Sequence, residues 1–565
     1  IKNIKGINKV KKTAIALVVS AFLAAGCGSD TKEVIKEVEV IKEIEVSPVE
    51  VTQVKNIILM IGDGMGAQQV GLLEEYARCA PHSTYSNRTT ALSNLAEQGM
   101  MGLSLSAPHG DSGKLVVDSA CSATQLATGL AAGSEMIGLD EQGNIVETIL
   151  EKAKQSGKAT GLVSDTRITH ATPAAFAAHQ PHRSLEAEIA EELIESGSVD
   201  VLLSGGARVF LPMSIKEDAA ARDVLTKLGA AESVYKKSKR SDERNLVLEA
   251  QEQHGYQLAF DKAQLAATDS TKLLGLFANS GMADGIAYST CKADDSCSQP
   301  SLKDMTMKAL DVLSQDEDGF FLMIEGGQID WAGHANDAGW MLNELLKFDE
   351  AVAAVHDWVK DRNDTLVVVT ADHETGSFGF SYSRKNLPEA QTLSGDGMQG
   401  ADYKPNFNFG ALSHLDKLYN QTGTFFDMMN AANADWDFAA TTPEDWMNAV
   451  NQYSQYKINI DQAAEIGERE VNDYFVADHK YQSADVVPRF ADFKEFYVYA
   501  DEDHAAKVGR ALAADQNVVW GTGTHTAAPV PVYAVGPEGV TKQFSTMQHH
   551  VEISQKMMTA FGFAE

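Results

Sequence analysis

The 565-residue chain predicts an α/β fold: a mostly parallel central sheet with helices on both faces, interrupted by one large insertion. Three observations carry this. Apolar runs of strand length recur at 56–61, 159–164, 199–204, 320–325, 365–370 and 530–535, and several are flanked by helical patterns at 142–156, 185–196, 303–315 and 338–361. Polar residues gather just beyond those runs, where ligands bind in open α/β sheets. Finally, 151 residues separate His373 from His525, far more than one strand-to-strand link needs.

The N-terminal element is a targeting segment rather than part of the fold. Residues 1–26 carry five lysines and no acid, and an apolar run from Thr13 leads to Ala24-Ala25-Gly26-Cys27. The run is too short to span a bilayer comfortably and has the charge layout of a secretion signal. Its end resembles a bacterial lipoprotein box with Cys27 as the lipidated residue; an ordinary cleaved signal ending near the same point is the alternative. Gly28 after the cysteine points to the outer membrane. The expectation is an exported protein, lipid-anchored in the cell envelope and touching membrane through that anchor only. Residues 28–55 form a charged tether with the near-repeat Ile-Lys-Glu-Val-Glu-Val, Ile-Lys-Glu-Ile-Glu-Val at 35–46, whose six-residue period fits no heptad.

Charge narrows the function. Lys and Arg total 47 against 79 Asp and Glu, a net charge of -32, and removal of the lysine-rich leader makes the remainder more acidic still. Such a surface repels phosphate backbones, so no nucleic-acid partner is expected. An anionic substrate needs a locally positive site, which bound metal supplies.

The polar residues beyond the strand runs are the right type. Gly62-Asp63-Gly64-Met65-Gly66 follows the first run; Glu325 ends another, with Asp330 and His334 soon after; Asp372-His373-Glu374 follows the 365–370 run; and His525 precedes the last. Converging Asp, Glu and His side chains suit a divalent cation, and Asp330 and His334, four apart, share one face of a helix. Separately, Val116-Val117-Asp118-Ser119-Ala120-Cys121-Ser122 leads into an Ala-rich helical run. Ser119 near that helix N-terminus is either a residue poised as an alkoxide or a plain capping serine. Among the cysteines, Cys291 and Cys297 close a small polar loop that an exported chain can oxidise to a disulfide, whereas Cys79 and Cys121 read as free thiols. No CxxC spacing supports a thiolate zinc site.

Together these residues resemble the alkaline phosphatase family. Val117-Asp118-Ser119-Ala120-Cys121-Ser122-Ala123-Thr124 is similar to that family's nucleophile signature, and Ile61-Gly62-Asp63-Gly64-Met65-Gly66 to its first metal-binding aspartate segment. Thr172-Pro173 with Arg183 eleven residues on, the Glu325, Asp330, His334 spacing, Asp372-His373, and Gly523-Thr524-His525-Thr526 occur in the family's order. The resemblance implies a phosphatase of small phosphate monoesters that works as a homodimer with two Zn2+ and one Mg2+. Ser119 becomes the nucleophile, forming a phosphoserine; Asp330, His334 and His525 hold one zinc on the leaving-group side; Asp63, Asp372 and His373 hold the second beside Ser119. Asp63, Thr172 and Glu325 hold the magnesium, Arg183 grips two phosphoryl oxygens, and Asp118 orients Arg183. The ionic charges balance when ions, carboxylates, alkoxide, arginine and phosphate dianion are counted together. Two residues depart from some members: His170 stands in place of Asp and Trp331 in place of Lys, both beside the magnesium and phosphate sites. That pair resembles the marine, cold-active branch.

The domain reading is a signal over 1–27, a tether over 28–55, a catalytic domain over 56–379 and 516–565, and an insertion over 380–515. The insertion is read as a dimer-interface loop or a substrate-shielding lid. His414, His479 and His504 within it read as packing or surface residues, and the pair His549-His550 lacks neighbouring carboxylates. The competing functions are a phosphodiesterase or sulfatase of the same superfamily, and a non-catalytic phosphate- or metal-binding lipoprotein. A complete nucleophile and ligand set argues against the last, and Arg183 with the magnesium site favours a monoester dianion.

Overall fold

The computed structural model describes residues 53–108 and 113–563, so the 1–27 segment with Cys27 and nearly all of the 28–55 tether lie outside the described residues. The strands in chain order are β1 (Asn56–Gly62), β2 (Met100–Leu105), β3 (Ala159–Arg167), β4 (Val201–Gly205), β5 (Gln257–Ala259), β6 (Leu273–Leu276), β7 (Phe320–Gly326) and β8 (Thr365–Thr370). Short strands follow: β9 (Glu374–Thr375), β10 (Gly379–Phe380), β11 (Arg469–Val471), β12 (Val486–Pro488), β13 (Val518–Val519) and β14 (His525–Thr526), and then β15 (Val530–Val535) and β16 (Met547–His549). Among the described residues ten of these form one sheet in the order β16-β2-β15-β8-β1-β7-β3-β4-β6-β5. Its strand pairs are parallel except where β15 meets β2 and β8.

The central strands are apolar throughout because both faces are covered. Ile58, Met60, Leu322, Ile324, Val367 and Val369 point into one core, with Met305 and Leu310 of the helix Leu302–Leu313 and with Met341, Leu345 and Phe348 of the helix Ala338–Val359. Ile57, Leu59, Ile61, Phe321, Met323, Leu366 and Val368 point into the opposite core. There they meet Leu126 of the helix Ser119–Thr128, Leu193 of the helix Glu186–Glu195 and Met557 of the helix His550–Phe561. This strict alternation is the two-residue strand period, and truncating a buried ring such as Phe321 to Ala costs about 3–5 kcal/mol. No helix among the described residues is long and apolar enough to cross a membrane.

The 380–515 stretch carries its own helices, among them Phe425–Ala432, Pro443–Tyr453 and Asp501–Gln516. Its ends meet where β10 pairs antiparallel with β13, Gly379 opposite Val519, so the chain leaves and re-enters the main body at one point. Trp446 is fully buried there against Phe438, with ring centroids 5.4 Å apart. Cys291 and Cys297 are joined in a disulfide, with Cα atoms 5.0 Å apart, and Cys79 and Cys121 are free.

Candidate active site

Strand register assembles the site. In the middle of the sheet β1 lies between β7 and β8, with Ile61 beside both Glu325 and Thr370. The carboxyl ends of these strands therefore release Asp63, Glu325 and Asp372 at one spot, as the topology requires of an open α/β sheet. Gly64 makes the turn possible: its φ is +74°, and a Cβ there would stand 2.8 Å from the Asp330 Cα. Its N–H donates to Asp372 Oδ1 at 3.1 Å. The helix Gln328–His334 presents Asp330 and His334 together, with 3.3 Å between Asp330 Oδ2 and His334 Nε2. The β9–β14 pair sets His525 opposite Thr375.

Three groups of ligand-type atoms result, each within 4.8 Å: Asp330, His334 and His525; Asp63, Asp330 and His373; Asp63, His170 and Glu325. Asp372 adjoins the second, its Oδ2 3.2 Å from His373 Nε2, and Thr172 adjoins the third, its hydroxyl donating to Asp63 Oδ2 at 3.3 Å. His170 thus sits among the ligand-type atoms, nearer than the sequence reading placed it. Trp331 flanks it edge-on, ring centroids 6.0 Å apart, under the Arg167 guanidinium.

The donor set fits metal ions. Asp63 Oδ1, Glu325 Oε1, Asp372 Oδ2 and His170 Nδ1 are buried without a hydrogen-bond partner. Buried polar atoms are normally paired, so four such atoms in these adjoining clusters call for ligands. His334 Nδ1 lies 2.7 Å from the Gly523 carbonyl and His525 Nδ1 2.9 Å from that of Val117. With each Nδ1–H donating there, Nε2 is the atom that would ligate a cation once its proton is displaced, and the two Nε2 atoms converge to 3.1 Å.

Electrostatics say the same. Burial, then the charges of Asp372, Asp330 and Glu325, push Asp63 well above the usual carboxylate range. Burial pushes Glu325 up to about 8, although the Ser164 and Thr166 hydroxyls oppose it. Asp372 is pushed up to about 7 by burial and the Asp330 charge. Burial also opposes a charge on Asp330, but the His334 and His525 rings outweigh it and hold its carboxyl well below the usual range. His170 and His373 are both driven down by burial, reinforced by Arg167 at the first and His525 at the second, so both are neutral donors. The pocket holds more negative charge than it can keep ionised without cations.

Ser119 opens the helix Ser119–Thr128, which is buried along its whole length. Asp118 caps it, accepting from the N–H groups of Ala120 at 3.1 Å and Cys121 at 3.3 Å, and from that of Glu135 at 2.8 Å. Ser119 Oγ is 3.2 Å from His373 Nε2. Arg183 donates from Nη1 to Asp118 Oδ2 at 3.2 Å, and its Nη2 lies 3.1 Å from His170 Nε2, so its fork is fixed at the same opening.

Some contributors escaped the sequence reading. Thr375 donates to Asp330 Oδ1 at 2.5 Å and lies 3.3 Å from His373 Nδ1, tying two clusters together. No local signal marks it, since its contact with Asp330 spans 45 residues of chain. His550 sits under the site, with its ring nitrogens 2.7 Å from the Asp372 carbonyl and 2.7 Å from Ser104 Oγ. His414, His479 and His504 stay away: His414 bonds Tyr456, His479 accepts from the backbone of its own turn, and His504 packs on Phe438.

The alkaline phosphatase family model matches residues 54–563. Alkaline phosphatase 3 of Bacillus subtilis is 30% identical over 517 residues, 90% of each chain, and the Escherichia coli alkaline phosphatase is 34% identical over 57% of this chain and 70% of its own. Among solved structures, the cold-active alkaline phosphatase of a psychrophilic Shewanella is 25% identical, with a TM-score of 0.61 over 90% of this chain and 99% of its own. The Thermus thermophilus alkaline phosphatase shares the fold, with a TM-score of 0.68 at 23% identity over 91% and 92% of the two chains. With a sequence match running through every cluster just described, the chain belongs to the alkaline phosphatase family of metal-dependent phosphoric monoester hydrolases.

Proposed function

We propose that this chain hydrolyses phosphate monoesters through a phosphoserine on Ser119, with two zinc ions and one magnesium. The observation that carries the reading is Ser119 Oγ, 3.2 Å from His373 where the ligand clusters meet, with Arg183 pinned by Asp118 at the same opening. Asp330, His334 and His525 would hold one zinc; Asp63, Asp372 and His373 the other; and Asp63, Thr172 and Glu325 the magnesium, with His170 beside it. Bound there, the ions supply Lewis acidity that offsets the charge on attacking and leaving oxygens.

The chain's own residues do the rest. Arg183 receives two phosphoryl oxygens in its planar fork, and Asp118 keeps that fork from rotating. The Ser119 hydroxyl gives its proton to solvent at a helix N-terminus that favours the anion, and its oxygen forms a bond to phosphorus as the ester P–O bond breaks. The departing alkoxide takes a proton from solvent. Water then attacks the phosphoserine, the Ser119 O–P bond breaks, and inorganic phosphate leaves.

The reading extends to the whole chain as an exported protein anchored through Cys27, forming a homodimer, with a catalytic domain over 56–379 and 516–565. Radiolabelled palmitate incorporation lost in Cys27→Ala, and the solution mass of the soluble portion, test those parts. The activity itself is tested with p-nitrophenyl phosphate at alkaline pH: chelation should abolish hydrolysis and zinc plus magnesium restore it. A folded, remetallated protein that turns over only a diester or a sulfate ester overturns the monoester assignment.

A further inference from the structure

Aromatic rings run outward from the nucleophile in an unbroken series. His373, 3.2 Å from Ser119 Oγ, stacks on His525 with centroids 3.5 Å apart. His525 lies 5.0 Å from His334, and His334 meets Tyr499 edge-to-face at 5.0 Å and 81°. Tyr499 in turn meets Tyr481 edge-to-face at 5.2 Å. Only the last two belong to the 380–515 insertion, and both are partly exposed, so the series ends in a half-open aromatic corner.

That corner is built into the main body. The Phe496 carbonyl accepts from the Gly523 N–H at 3.1 Å and from the Thr522 hydroxyl at 3.1 Å, which ties the strap carrying Tyr499 to the loop that carries His525. Tyr497 donates to Asn336 at 3.3 Å and accepts from Arg510 at 2.9 Å. Immediately after Tyr499 the backbone turns through Ala500 at φ +48°, a conformation an alanine rarely adopts, held by its N–H donating to Asp503 Oδ2 at 3.1 Å. Strain of that kind persists where the surroundings over-determine the turn, and this turn sets Tyr499 against His334.

In an in-line displacement the leaving group departs on the side opposite the nucleophile. In the reading above, Asp330, His334 and His525 stand on the leaving-group side, and Tyr499 is the ring packed against His334 of that cluster. We propose that Tyr499, backed by Tyr481, is the leaving-group wall of the site and makes aromatic phosphomonoesters preferred over small alkyl ones; this rests on the phosphomonoesterase reading above. A ring on the leaving oxygen gains an edge-to-face or offset contact that a glycerol or methyl group cannot make.

The test compares kcat/KM for phenyl phosphate and glycerol 2-phosphate in the metallated protein, with the ratio of calorimetric dissociation constants for methylphosphonate and phenylphosphonate as a readout independent of turnover. Tyr499→Ala should lower both aryl-over-alkyl ratios by about 3- to 10-fold, the range a single aromatic contact supplies. Tyr499→Phe should keep both ratios and Tyr499→Leu, which preserves apolar bulk, should lose them. Ratios unchanged in Tyr499→Ala and Tyr499→Leu, with both esters still hydrolysed, would overturn the wall while leaving the phosphatase reading intact. Failure of the wild-type protein to hydrolyse either ester would overturn that reading, and the wall with it.

Discussion

Replacing Arg183 by alanine separates binding from folding at this site. The guanidinium is held at two points, by Asp118 Oδ2 at 3.2 Å and beside His170 Nε2 at 3.1 Å, which leaves its fork fixed rather than searching. Two charge-assisted hydrogen bonds to a phosphoryl dianion are worth about 1.5–3 kcal/mol each, so the low end is about 3 kcal/mol, roughly 150-fold in the inhibition constant of inorganic phosphate. The fold should hardly register the loss. Asp118 keeps its bonds from the Ala120, Cys121 and Glu135 N–H groups, and its side chain is 21% exposed, so the carboxylate left behind is not orphaned. The assay is competitive inhibition by phosphate during p-nitrophenyl phosphate turnover, with thermal unfolding measured alongside. Inhibition weakened by two orders of magnitude, residual turnover and a melting temperature within a few degrees of wild type are expected. Arg183→Lys, which keeps the charge but loses the fork, should fall between. An inhibition constant within threefold of wild type in a folded Arg183→Ala protein would refute the clamp.

Three further outcomes follow from the same geometry. His170→Asp adds a carboxylate to the Asp63 and Glu325 pair, and should raise the magnesium retained per chain after desalting; unchanged retention would place His170 outside that cluster. Thr375→Val removes the donor to Asp330 and should weaken zinc affinity by about 10- to 100-fold, measured by competition with a chromogenic chelator; unaltered affinity would make Thr375 a packing residue only. Asp349 is buried, accepting from the Tyr85 hydroxyl and the Ala91 and Leu92 N–H groups, and burial pushes its carboxyl up to about 6. A raised carboxyl stabilises the fold below its unfolded value near 4, and that contribution fades as pH rises through 6, about 3 kcal/mol in all. Stability of Asp349→Asn relative to wild type should therefore climb between pH 4 and 6; a flat difference would deny the shift.

The sequence was most legible where one physical constraint acts alone. The central strands are buried on both faces, so β1, β7 and β8 had to be written in Ile, Leu, Val, Met and Phe, and they were found. Strand β2, with Met101 and Leu105 exposed around a buried Ser104, and the three-residue β5 and β16 carry no such run, while β6 is apolar and buried but only four residues long and broken by Gly275; all four were missed. The 142–156 helix begins only at Ile149, because Asp140 Oδ1 accepts from Gln142 and Asn144 N–H groups and folds that stretch into a turn. Ligand-type residues at strand ends were legible because their chemistry and spacing are local. The Thr375 hydroxyl, the His550 ring beneath Asp372 and the Tyr499 ring beside His334 were not, since their roles exist only through contacts across 45, 178 and 165 residues of chain.

The most direct measurement is a search for phosphate on Ser119. Acid quenching of the metallated protein during turnover of an aryl phosphate, followed by peptide mass spectrometry, should find one phosphoryl group on the peptide containing Ser119 and none on that peptide from Ser119→Ala, which should also be inactive. Undiminished turnover by Ser119→Ala, or a phosphoryl group trapped on another residue, would contradict the account.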